Sequence, residues 1–192
     1  MTAPVRILHL HSTFDLGGKE ARAVRLMNAF GDRARHTIVS SVPDALSARN
    51  AIDQGIKYEI AQNPPPMTGR PSVARYEAIA RYMRRFDLVL TDLRLPVMDG
   101  RALLREVRSR WPEVPVIIIT GHADVPMAVR ALKAGAYDFI EKPFNDQVLL
   151  ERVQKALEDG EQERFVEDRR KTIDAKIETL TPRERQVMEM VV

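Results

Sequence analysis

Along this 192-residue chain, short apolar runs alternate with stretches whose apolar residues recur every three or four positions. The runs predict strands and the wider spacing predicts helices packed on them. Val5-Arg6-Ile7-Leu8-His9-Leu10 reads as a first strand, followed by a loop from His11 to Gly18. Ala23, Leu26, Met27 and Phe30 then share one helical face, with Gly31 where a C-cap belongs. His36–Ser40 predicts a second strand and Lys57–Ile60 a third, at a sheet edge. Residues 43–54 between them are ambiguous, with a short helix as one reading. Asn63-Pro64-Pro65-Pro66 breaks regular structure, and Ser72 is placed to cap a helix carrying Tyr76, Ile79, Ala80 and Met83.

The second half continues the alternation. Asp87–Thr91, Val116–Thr120 and Tyr137–Ile140 predict strands. Leu103, Val107 and Trp111 mark one helix; Asp124, Pro126 and Gly135 cap, open and close the next. Asn145 caps a helix with Leu149, Leu150, Val153 and Leu157 on one side. Residues 159–178 are mostly charged and predict an exposed linker helix. Thr181, Pro182 and Glu184 form a capping-box pattern at the start of a last helix. Strand–helix alternation of this kind predicts an α/β fold, a doubly wound parallel sheet of the Rossmann or flavodoxin type. Ligand chemistry in such sheets collects at the carboxyl ends of the strands. Those positions hold His11 to Gly18, Asp92, Thr120 and Lys142.

The chain has no cysteine, which removes disulfides, thiolate nucleophiles and cysteine-bound metals and suits a reducing cytoplasm. The apolar run Val116–Ile119 is far too short to span a bilayer, and the first residues have no signal-peptide pattern, so no membrane association is expected. The net charge of +3 is unevenly placed. Residues 1–86 carry 13 Lys/Arg against 7 Asp/Glu, and residues 87–192 carry 17 against 20. A basic half admits phosphate-bearing partners; a solvated, arginine-rich helix face is the simpler account.

A carboxylate, a hydroxyl and a lysine at the ends of neighbouring strands suit phosphoryl transfer. Asp92 would be the nucleophile, Thr120 a hydrogen-bond donor to the phosphoryl oxygens and Lys142 their counter-charge. Singly, each is an ordinary strand-end residue. Together, DLVLTDLRLPVMDG, PVIIITGHAD and ALKAGAYDFIEKPF resemble a response-regulator receiver domain over residues 87–158. The resemblance implies that Asp92 is the phosphoacceptor, Thr120 the switch hydroxyl, Phe139 the switch aromatic and Lys142 the family's lysine. It makes Pro143 the cis-proline candidate. It implies Mg²⁺ held by Asp92, the Arg94 backbone carbonyl and an acidic pair after the first strand. It also implies a histidine kinase or small phosphodonor as partner, and leaves a homodimer open. The acidic pair is absent: the first strand ends His9-Leu10-His11-Ser12, and the nearest acid is Asp15. Weakened metal binding and impaired phosphorylation are therefore expected.

ILHLHSTFDLGGKEARAVRLMNAF resembles the N-terminal domain of a GT-B glycosyltransferase, a likeness that covers residues 1–91. The chain then reads as a fusion through the shared strand Asp87–Thr91, which the two resemblances place beside the first strand; right-handed crossovers then predict the order 3-2-1-4-5-6. The expected division is 1–86, 87–158, a linker helix at 159–179, and 180–192. LTPRERQVMEMVV resembles the opening of a LuxR-type helix-turn-helix. DNA binding is not expected from that stretch alone, because such a motif needs its second helix in the major groove. Enzymatic activity is not expected. The alternatives are an acceptor-side transferase fragment and an inactive hybrid. Gly17 and Gly18 could cradle a phosphate at a helix start, although a tight turn is the better explanation of them. His9 and His11 share one side of their strand but lack the further ligands that zinc needs. His36 and His122 are expected on the surface or in loops.

Overall fold

The computed structural model describes residues 4–17, 20–67, 69–70, 72–91, 100–121, 125–141 and 144–191. Among them, six strands form one sheet: β1 (Val5–His11), β2 (Ala34–Ser40), β3 (Lys57–Ile60), β4 (Leu88–Thr91), β5 (Val116–Thr120) and β6 (Asp138–Glu141). All neighbours run parallel in the order β3-β2-β1-β4-β5-β6, as expected. The helices are α1 (Glu20–Phe30), α2 (Val73–Met83), α3 (Gly100–Arg110), α4 (Val125–Lys133), α5 (Asp146–Glu178) and α6 (Pro182–Val191). The ambiguous stretch holds a short 3₁₀ turn at Ser47–Ala51.

Strand residues alternate between two helical layers. Leu8, Leu10, Val89, Val116 and Ile118 pack with Ile79 and Met83 of α2, Leu103 and Val107 of α3, and Ala131 of α4. Ile7, Leu88, Leu90 and Ile117 pack with Leu26 and Phe30 of α1 and with Leu149 and Val153 of α5. β5 is a run of β-branched residues because it is covered on both sides. Burying each such side chain contributes roughly 1.5–3 kcal/mol before entropy is counted. The caps behave as their residue types dictate. Ser72 Oγ accepts from the Arg75 N–H at 3.3 Å, and Asn145 Oδ1 from the Gln147 N–H at 2.8 Å. Thr181 and Glu184 cap reciprocally: the Thr181 N–H donates to Glu184 Oε2 at 2.8 Å, and the Glu184 N–H to Thr181 Oγ1 at 3.4 Å. Gly135 has φ +107°, and a Cβ there would lie 2.7 Å from Arg108 Cβ. The expected cap Asp124 lies outside the described residues.

One element differs from expectation. α5 runs unbroken from Asp146 to Glu178, across the predicted start of the linker at 159. Its middle is docked rather than exposed. A Cβ on Gly160 would meet Pro115 Cδ at 3.0 Å and the Glu113 carbonyl at 3.1 Å. The Tyr137 hydroxyl donates to Asp159 at 2.6 Å, and Arg164 donates to Asp87 at 2.7 Å. Only past Arg164 does the helix stand free, with Phe165 and Val166 63% and 65% exposed. Mostly charged sequence disguised this docking because the contact is made by a glycine and by polar ends. Gly160→Leu is expected to destabilise the fold by about 1–3 kcal/mol through overpacking. Chemical denaturation checks this: the midpoint should fall, whereas an unchanged midpoint would show that α5 is not seated there.

Candidate functional site

The parallel register sets the carboxyl ends of the central strands side by side. Leu10 pairs with Thr91, Thr91 with Ile118, and Thr120 with Glu141. Thr120 is 1% exposed, so its hydroxyl sits inside the structure at the end of β5. Thr91 and Glu141 immediately precede Asp92 and Lys142 in the chain. Asp92, Arg94, Lys142, Pro143, Gly18 and His122 themselves lie outside the described residues. Phe139 is half-buried on β6, paired with Ile118, and packs against the α2–α3–α4 layer. Its N–H donates to Asp138 Oδ1 at 2.7 Å, and Arg152 of α5 pairs with Asp138. Thr120 and Phe139 are thus on adjacent strands. Sequence reasoning passed over Arg22, which lines a small cavity with His11, Thr91 and Phe144. Its guanidinium lies 4.8 Å from the Phe144 ring centroid, one residue after Pro143. A cation in the first turns of α1 gave no periodic signal to find it by.

The front of the site departs from an acidic cradle. Asp15 Oδ1 accepts from both the N–H and the hydroxyl of Ser47, at 3.1 and 2.9 Å. The Leu16 N–H donates to the same Ser47 hydroxyl at 2.9 Å. Asp15 therefore ties its own loop to the turn after β2. The Gly17 carbonyl accepts from the Ala21 N–H at 3.0 Å, and a Cβ on Gly17 would lie 3.2 Å from Glu20 Oε2. This loop already holds a carboxylate beside it, which disfavours a phosphate at Gly17.

His36 corrects an expectation. It lies within β2, only 1% exposed, and not on the surface. Its Nδ1 is 2.9 Å from His9 Nε2, a hydrogen bond between two buried rings. His9 stacks on His11 with centroids 6.1 Å apart and planes within 6°. The pairing was hidden because it depends on β1–β2 register: Ile7 aligns with His36 and His9 with Ile38, making the rings diagonal neighbours. Burial holds His9 well below the ordinary histidine range, with the charges of His36 and His11 acting the same way. Burial alone lowers His36 to about 4. Among the described residues, no group of three or more His, Asp or Glu side chains could hold a metal ion. Mg²⁺ favours hard oxygen ligands. His11, Ser12 and a Ser47-bound Asp15 do not supply the acidic pair, so the described residues do not fit that ion.

Comparison with known proteins places this geometry. Residues 72–154 match the response regulator receiver domain, a match that begins in front of α2 rather than at residue 87. That segment is similar to a receiver domain. The chain is 48% identical over 108 residues to the transcriptional regulatory protein FixJ of Rhizobium meliloti, covering 56% of this chain and 53% of FixJ. It spans about half the length of the curated relatives it matches first. Among solved structures, NtrX from Brucella abortus aligns with a TM-score of 0.51 and 27% identity, over 98% of this chain and 35% of NtrX. A CheY-like receiver domain protein from Methanospirillum hungatei aligns with a TM-score of 0.50 and 24% identity. That alignment covers 84% of this chain and 99% of that protein, and shows the shared fold. No helix among the described residues is long and apolar enough to cross a membrane.

Proposed function

We propose that the chain is a phosphoacceptor of a two-component phosphorelay controlling transcription, with Asp92 as acceptor. The observation that supports this best is the buried Thr120 at the end of β5. It lies between the strand that leads into Asp92 and the strand that leads into Lys142, inside a segment matching a receiver domain. In this reading, Lys142 pairs with the phosphoryl oxygens and Thr120 donates to them. Phe139 on the adjacent strand follows that hydroxyl's position. The phosphodonor is a histidine kinase or a small acyl phosphate. A bound Mg²⁺ would supply charge neutralisation at the phosphoryl group, but the described residues offer it no acidic pair. Phosphorylation is therefore slow compared with a receiver that has one. The glycosyltransferase likeness of residues 1–91 remains a resemblance of sequence.

The test is incubation with acetyl phosphate and Mg²⁺, followed by intact mass. The expected result is one phosphoryl group gained slowly. Labelling as fast as that of a receiver with its acidic pair, run alongside, would overturn the impaired part of the reading. Asp15→Ala should change the rate little, because that carboxylate is engaged with Ser47.

A further inference from the structure

The opposite end of the sheet carries a second feature, and it concerns the excess of cations in residues 1–86. The register aligns Arg6 of β1 with Arg35 of β2, and Arg35 with Lys57 of β3. Neighbouring strands lie roughly 4.8 Å apart, so these three cations form one row across the sheet. They line a cavity of ≈ 470 Å³, with Arg85, two residues past the end of α2, making a fourth cation. Like charges in a row repel one another, and among the described residues only Arg6 of the row has a carboxylate partner. Arg6 pairs with Asp87 at 3.1 Å. Among the described residues, Arg35, Lys57 and Arg85 have no carboxylate within ion-pair distance. The single carboxylate lining the cavity, Glu59, accepts from Thr37 Oγ1 at 3.0 Å. One tyrosine flanks the row on its own face: Tyr82 is half-buried with Arg85 over its ring at 5.4 Å, whereas Tyr58, in register with His36, belongs to the other face of the sheet.

We propose that this cavity binds a small phosphate-bearing anion, and that a nucleoside polyphosphate is the class it fits. Arg35 and Arg85 would take the phosphates through charge-assisted hydrogen bonds as forks and Lys57 as a point charge. Tyr82, which lines the same cavity from α2, would take the base by stacking. The volume lies within the range of small-ligand sites. The site is at the amino ends of β1–β3, away from Thr120 and the strand ends that lead into Asp92 and Lys142. It therefore does not depend on the phosphoacceptor reading.

The experiment is isothermal titration of the full chain with ADP, pyrophosphate and adenosine at low ionic strength. ADP is expected to bind saturably, pyrophosphate more weakly, and adenosine not detectably. The double variant Arg35→Ala with Lys57→Ala, both exposed positions, should weaken ADP by roughly tenfold or more. Its unfolding midpoint should stay put. Tyr82→Ala should weaken ADP while leaving pyrophosphate unchanged. Absence of saturable ADP binding, or ADP binding unaltered in the double variant, would overturn the proposal. Pyrophosphate binding as tight as ADP would overturn the nucleoside part of it.

Discussion

An Asp92→Ala variant given acetyl phosphate and Mg²⁺ is expected to gain no phosphoryl mass over a time in which the unaltered chain is visibly labelled. In the proposed reaction, an Asp92 carboxylate oxygen attacks phosphorus. The bond from phosphorus to the acetyl oxygen breaks, and acetate leaves. Alanine has no oxygen to form the new bond, so the loss should be complete rather than graded. The added group carries about −1.5 to −2 charge and must be offset locally. Lys142 is the cation nearest in the chain to a carboxyl strand end, one residue past Glu141, which pairs with Thr120. Lys142→Ala is therefore expected to slow labelling strongly without abolishing it. Thr120→Ala should retain labelling and instead change the environment of Phe139, read by ring resonances on phosphorylation. Labelling that persists in Asp92→Ala would sink the acceptor assignment. The variant's far-ultraviolet spectrum and unfolding midpoint guard against a trivial loss of fold.

Much of this architecture was legible in the residues because local and global signals agree. The β-branched run Val116–Ile119 can only be a covered strand, and Leu8 and Leu10 against Ile7 already separate the two helical layers. The caps at Ser72, Asn145 and Thr181 were readable because a single side chain satisfies a helix end within three residues. What was hidden depends on pairs remote in sequence. The seat of α5 joins Gly160 to Pro115 and Arg164 to Asp87, separations that leave no periodic trace. The row Arg6–Arg35–Lys57 exists only once three strands are registered. Asp15 looked like a spare acid near the strand ends, yet a serine 32 positions away claims it. The His9–His36 bond is of the same kind, and its consequence is thermodynamic.

Acidification should destabilise the fold well before its carboxylates protonate, because His9 and His36 are buried as neutral rings. With one N–H each, one ring donates across the 2.9 Å contact, and the pair then has no room for a second facing proton. His9 Nδ1 and His36 Nε2 are buried with no hydrogen-bond partner among the described residues, so a charge on either ring meets no compensating group. Phe30 covers His36 edge-on, and His11 adds a further imidazole beside His9. Both folded pKa values are depressed, His36 to about 4. The unfolded chain takes up these protons near pH ~6.5, whereas the folded chain refuses them. The stabilisation is therefore fully present above about pH 6.5 and is lost as pH falls towards about 4. Each depressed unit contributes about 1.4 kcal/mol, so His36 alone accounts for on the order of 3 kcal/mol. Asp87 acts in a separate window. Burial raises its carboxyl, but the hydrogen bonds from Arg6 and the charges of Arg164 and Arg6 outweigh burial and leave it below the ordinary range. Its contribution is lost only as pH falls below that range. Urea midpoints measured from about pH 7.5 to pH 4.5 should fall steadily, and the fall should be largely absent in His9→Leu with His36→Leu. If that double variant does not fold, His36→Phe alone should remove a measurable share of the slope. A flat profile in the unaltered protein, or a slope that survives both substitutions, would show that the buried pair is not the group that senses acid.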